Sequence, residues 1–172
     1  MKYDYLMYYN DFFTKKISFL DFRTKLYSFF DSATVLQLDE FNSYIIDDQF
    51  TAYDADMVML TYIAVWLYPN RFNKNIEIMT ADNMYMGFLR EVKLSYKDDF
   101  NKDLELIKQT LNYEIVKLGN IYIILNITEA DIEIPLPSEL QNGTHYCVNC
   151  NDEVDFEDSC ELYPYGFYII EK

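Results

Sequence analysis

From Asp103 onward the chain is cut into short apolar runs, each of strand length and too brief for a stable helix. The runs lie at residues 104–108, 113–117, 121–125, 132–136 and 165–170, separated by turn-prone residues. Gly119-Asn120 stands between the second and third of them, a strong hairpin signal because glycine accepts the positive φ that a tight hairpin turn needs. Short strands at this spacing predict a small antiparallel β-sandwich.

The residues ahead of this region read differently. Ser18-Phe-Leu-Asp21 resembles a capping box with Asp in place of Glu. It opens a helix predicted to reach Phe30, with Leu20, Phe22, Leu26, Phe29 and Phe30 at roughly helical spacing. Residues 34–38 and 75–79 are strand-like. Asp54 can cap a helix through residues 57–67 that is apolar nearly all round, and Pro69 stops it. A further helix is expected from Asn83 to about Tyr96. The chain therefore divides into residues 1–98 and residues 99–172, an α+β arrangement.

Charge removes several function classes. Asp plus Glu total 29 against 14 Lys plus Arg, a net charge of −15. Such a surface repels nucleic acid and anionic membranes, whose phosphates need clustered cations. The most apolar window, residues 57–67, falls well short of the ~20 residues that span a bilayer. The N-terminus has no apolar core of a signal peptide, so the expectation is a cytoplasmic protein without a membrane partner. Three cysteines, an odd number, fit a reducing compartment better than a disulfide framework. The sequons at Asn126 and Asn142 carry little meaning without a secretion route.

Three constellations offer chemistry, each with a plainer reading beside it. His145, Cys147, Cys150 and Cys160 are four possible zinc ligands, although a second Cys-x-x-Cys knuckle is missing. The alternative is that these cysteines are small apolar residues of β-strands and loops. The acidic run at residues 152–158 lacks the central Gly and terminal Glu of a calcium loop and reads as a solvated loop. Tyr3, Tyr5, Tyr8 and Tyr9 can stack on sugars or fill a core or interface. No nucleophile–base set or phosphate-binding loop is visible, and no cofactor is expected.

The order of several segments resembles the C-terminal third of α-amylase-superfamily glycosidases, most like the neopullulanase and cyclomaltodextrinase branch. Ile121-Tyr-Ile-Ile-Leu-Asn-Ile resembles the family's "vlvvlNfs" strand, followed by Ile132-Glu-Ile-Pro-Leu-Pro and the terminal Leu162-Tyr-Pro-Tyr-Gly-Phe. Met86-Gly-Phe-Leu-Arg resembles the last barrel helix, and Tyr68-Pro-Asn with Ile76-Glu-Ile-Met the strand-eight segment. Nearer the start, Met7-Tyr8-Tyr9 falls where that branch has its sixth barrel strand, and Leu36-Gln-Leu-Asp-Glu-Phe-Asn-Ser where the family writes "nLLdSHDT". The resemblance implies a partial (β/α) barrel remnant of about three units, followed by an antiparallel β-sandwich C-terminal domain.

It also implies a defective site. Glycosidases of this kind need two carboxylates flanking the bond, and the strands that carry them would lie ahead of this chain. At the family's third site, Phe41 stands at the His, Asn42 at the Asp and Ile45 at the Arg. A slip of register would bring Asp39 or Glu40 there instead, without a His neighbour. Asn carries no charge to balance an oxocarbenium-like transition state. The resemblance therefore implies a truncated, non-catalytic fragment that binds α-glucan or associates with itself. The alternatives are one subunit of a split enzyme completed by a complementary amylase-like chain, or a zinc-stabilised interaction module.

Overall fold

The computed structural model describes residues 7–8, 11–12, 14–32, 91–92 and 94–172. The chain forms two compact units, Met1–Ser95 and Tyr96–Lys172. The strands expected at 34–38 and 75–79, the apolar helix at 57–67, and Phe41, Asn42 and Ile45 lie outside the described residues. So the barrel-like reading of the first unit rests on sequence alone.

In the first unit, helix α1 spans Phe19–Ser32, two residues beyond the sequence expectation. Its start is the expected capping box. Asp21 N–H donates to Ser18 Oγ at 3.1 Å, Ser18 N–H reaches Asp21 Oδ2 at 3.4 Å, and the Ser18 hydroxyl donates to the same oxygen at 2.7 Å. The shorter Asp closes the box because its carboxylate also takes the serine hydroxyl. Phe12 stacks on Phe22 at 5.0 Å and meets Phe19 edge-on at 5.9 Å, which seals the helix entry with aromatic contacts. The described tyrosine of the N-terminal stretch, Tyr8, lies beneath the Lys25 ammonium at 5.1 Å.

The second unit is almost entirely antiparallel sheet. After the short helix α2 (Lys97–Phe100) come β1 (Glu105–Gln109), β2 (Tyr113–Leu118), β3 (Ile121–Asn126), β4 (Ile132–Pro135), β5 (Gly143–Cys147), β6 (Asp152–Phe156), β7 (Ser159–Leu162) and β8 (Phe167–Glu171). Six strands form one sheet in the order β1-β2-β3-β8-β5-β6, while β4 and β7 pair as a second. Between the sheets, Tyr122, Ile124 and Ile170 pack with Ile134, Leu140, Cys160 and Leu162. Strand β3 is buried along its whole length, as the central strand of a sheet covered on both faces must be.

Strands β5 to β7 went unforeseen, and the acidic run 152–158 is the clearest correction. It is no solvated loop: residues 152–156 are edge strand β6, with Phe156 in the core, Val154 against it, and Asp152, Glu153 and Asp155 exposed. Dense charge hid the alternation. On an edge strand that charge has a purpose, since carboxylates keep an unpaired edge from docking onto another strand. The final strand begins two residues later than expected, because Tyr165 turns the chain at φ 54°.

Three polar interactions hold the turns. Asp99 Oδ1 accepts the Asn120 N–H at 2.8 Å and so ties α2 to the β2–β3 hairpin. Tyr96 donates its hydroxyl to Glu171 Oε2 at 2.7 Å. Asn126, fully buried, donates to the carbonyls of Ala130, Leu162 and Tyr163 at 2.7 to 3.1 Å and accepts from the Thr128 N–H and hydroxyl. This also closes the Asn126 sequon, whose amide is wholly committed inside the fold.

Candidate functional site

The sequence-nominated zinc set does not assemble. Cys147 and Cys150 are joined as a disulfide with Cα atoms 5.2 Å apart, and Cys160 is a separate buried thiol. His145 Nε2 lies 3.1 Å from the Leu140 carbonyl oxygen. Among the described residues, no three His, Cys, Asp or Glu side chains gather as a metal would require. Two of the three cysteines are thus paired and one is free, an outcome that an odd count leaves open.

Where the described structure does offer a recess is on the second unit, beside the β4–β7 pair. An open groove of about 570 Å³ is lined by Asp131, Asp155 and Glu161 among the acids and Phe156, Tyr163 and Tyr168 among the aromatics, with Val154, Ser159 and Cys160 filling between. No lysine or arginine lines it. Tyr163 is 53% exposed, while Tyr168 is half-buried and meets Phe156 edge-on at 5.7 Å.

Local chemistry places each of these side chains. The backbone behind Tyr163 is clamped by Asn126, through bonds to the Leu162 and Tyr163 carbonyls at 3.1 and 2.7 Å. Gly166 gives the Tyr163 ring room: a Cβ there would stand 2.9 Å from the Tyr163 carbonyl oxygen and 3.1 Å from its ring. Asp155 is steadied by the hydroxyl of Thr144, its cross-strand partner, at 2.5 Å. Asp131 follows the Asn126 loop and Glu161 projects outward from β7. Sequence reasoning missed this groove because its residues come from four separated segments. In the sequence Leu162-Tyr-Pro-Tyr-Gly-Phe reads as a terminal strand within the amylase-like order, and nothing in it marks Tyr163 as a groove residue.

Burial sets the ionisation of the groove floor. Desolvation pushes the Cys160 thiol from its ordinary 9.0 up to about 12, and raises Tyr168 as well. Tyr96 is raised in the same way, by burial first and then by its bond to Glu171. All three are neutral acids in the folded protein. Above pH 9 the unfolded chain loses the Cys160 proton while the folded chain keeps it, so stability falls as pH climbs from about 9 toward about 12. Chemical denaturation across that window is expected to show the loss, and a Cys160→Ala variant a shallower slope.

Among the described residues no helix is long and apolar enough to cross a membrane. No protein-family model matches the chain, and no curated protein matches it significantly. Solved structures give partial likenesses, three of which are to an alpha-galactosidase-like protein and two alpha-amylases. A candidate alpha-galactosidase from Bacteroides fragilis aligns at 15% identity and TM-score 0.46, over 72% of this chain and 29% of that one. An alpha-amylase from Malbranchea cinnamomea aligns at 6% identity and TM-score 0.41, over 54% of this chain and 23% of that one. An Anoxybacillus alpha-amylase aligns at 17% identity and TM-score 0.40, over 58% of this chain and 24% of that one. The chain thus spans less than a third of each of these proteins.

Proposed function

We propose that this chain is a non-catalytic relative of α-amylase-type glycosidases that holds a neutral glucan in the groove of its second unit. One observation carries the reading: the groove joins aromatic faces to carboxylates and is lined by no cation. Aromatic faces pack on the apolar faces of sugar rings, and carboxylates accept hydrogen bonds from hydroxyls. A phosphate or carboxylate ligand meets only repulsion there, in a chain of net charge −15. The amylase-like order of Ile121-Tyr-Ile-Ile-Leu-Asn and Leu162-Tyr-Pro-Tyr-Gly-Phe favours an α-glucan over other neutral sugars.

Lack of catalysis is supported by Phe41 and Asn42, which replace the polar pair the resemblance calls for. Affinity electrophoresis in gels containing glycogen or soluble starch tests the binding. The wild-type chain is expected to be retarded, and Tyr163→Ala to lose at least about tenfold in affinity, the scale of one lost aromatic platform. Unchanged migration of the wild-type chain overturns the binding reading. Reducing sugar released from maltodextrin by the purified chain overturns the non-catalytic one.

A further inference from the structure

The β5–β6 connection carries a feature that glucan binding does not use. Cys147 ends β5 and is completely buried, whereas Cys150, three residues on, is exposed. The two are joined as a disulfide, and the Cys150 N–H points at Cys147 Sγ from 3.2 Å. We propose that Cys147–Cys150 is a reversible thiol–disulfide site, opened by attack of a dithiol on the Cys150 sulfur.

Access and leaving-group chemistry give the step its direction. An external thiolate reaches the exposed Cys150 Sγ and forms a new S–S bond there. The Cys147–Cys150 bond breaks, and its electron pair leaves on Cys147 Sγ, where the Cys150 N–H stabilises the developing thiolate. The second thiol of the reductant then attacks its own sulfur in the mixed disulfide and frees Cys150 as a thiolate. Both cysteines take up protons, and the dithiol ends as a disulfide, a balanced two-electron exchange.

The fold tolerates the opening because other bonds hold the turn. Cys147 is paired with Ile170, and the Val148 N–H donates to the Ile169 carbonyl at 2.8 Å. Asn149 donates to the Phe167 carbonyl at 3.1 Å and accepts the Ile169 N–H at 2.7 Å. The chain is thus fastened to β8 through residue 149, and Cys150 follows the last of these anchors. Closing so short a loop also lies at the low end of what a cross-link contributes through chain entropy. Cys160 is outside the exchange: buried, with its thiol pushed up to about 12, it forms almost no thiolate near neutrality.

The full chain equilibrated in buffers of reduced and oxidised dithiothreitol, then alkylated without denaturant and weighed by mass spectrometry, tests this. One alkyl group, on the exposed Cys150, is expected in reducing buffer and none after reoxidation, with far-UV circular dichroism unchanged and with the buried Cys147 and Cys160 modified only once denaturant is added. A pair that resists reduction until the sheet melts, or reduction that exposes Cys160, overturns the proposal. Single variants add a test of direction. Exposed to glutathione disulfide, Cys147→Ser is expected to acquire glutathione on Cys150 at least tenfold faster than Cys150→Ser acquires it on Cys147. Equal rates overturn the assignment of Cys150 as the reactive sulfur.

Discussion

Asn126→Asp is expected to bring the second unit to the edge of unfolding. The wild-type amide donates to three carbonyl oxygens, those of Ala130, Leu162 and Tyr163, and its oxygen accepts twice from Thr128, all at a residue with no solvent exposure. An aspartate turns the donor into an oxygen facing those same carbonyls at 2.7 to 3.1 Å, and buries a charge answered only by the two Thr128 donors. With each buried group left unsatisfied costing ~1–3 kcal/mol, the combined loss is about 3–5 kcal/mol, against ~5–15 kcal/mol of total stability in a typical domain. Urea unfolding followed by far-UV circular dichroism measures it. Asn126→Leu is expected to cost somewhat less, since it removes the donor but adds no repulsion. A loss below about 1 kcal/mol in both variants would show that the loop finds other partners. Because this residue also clamps the backbone of Tyr163, variants that still fold are expected to weaken glucan retention.

The second large effect is expected at Gly119→Val. Gly119 sits at φ 58°, a conformation that L side chains rarely adopt and β-branched ones least of all. Any Cβ there would also fall within van der Waals contact of Asp99, whose Oδ1 would stand 2.3 Å away and whose Cα 3.1 Å. Relief requires Asp99 to move, which breaks its bond to the Asn120 N–H and loosens α2 from the hairpin. Backbone strain of ~1–3 kcal/mol plus the lost hydrogen bond gives an expected cost of about 2–4 kcal/mol. Thermal unfolding of Gly119→Val beside Gly119→Ala separates the parts, since alanine has the same Cβ but no branch. A variant that melts with the wild type would mean that the turn can rearrange to negative φ without penalty.

Much of the second unit could be read before the structure, and the reasons are local. Runs such as Ile121-Tyr-Ile-Ile-Leu show strand length and apolar density, and Gly119-Asn120 announces its turn because so few residues accept positive φ. The capping box at Ser18 and Asp21 was legible for the same reason: its partners are three residues apart. Strand β5 was hidden because Gly143, Thr144 and His145 give little apolar signal, and β6 and β7 because Asp152, Glu153, Asp155 and Glu161 dilute the apolar residues that mark a strand. On the latter two strands, charge placed for solubility and edge protection outweighed the apolar signal.

Sequence alone set the helix cap, the hairpin and the strongly apolar strands, since each depends on neighbouring residues. Only the tertiary structure decided which cysteines pair, that Asn126 is a buried clamp, and that Asp131, Asp155, Glu161 and three aromatics share one groove. Those facts depend on distance in space between residues from β6, β7, β8 and the loop after β3, and no spacing along the chain encodes them. Cys147 meets Cys150 because β5 ends and the chain turns there, while Cys160 is carried into the core on the opposite sheet.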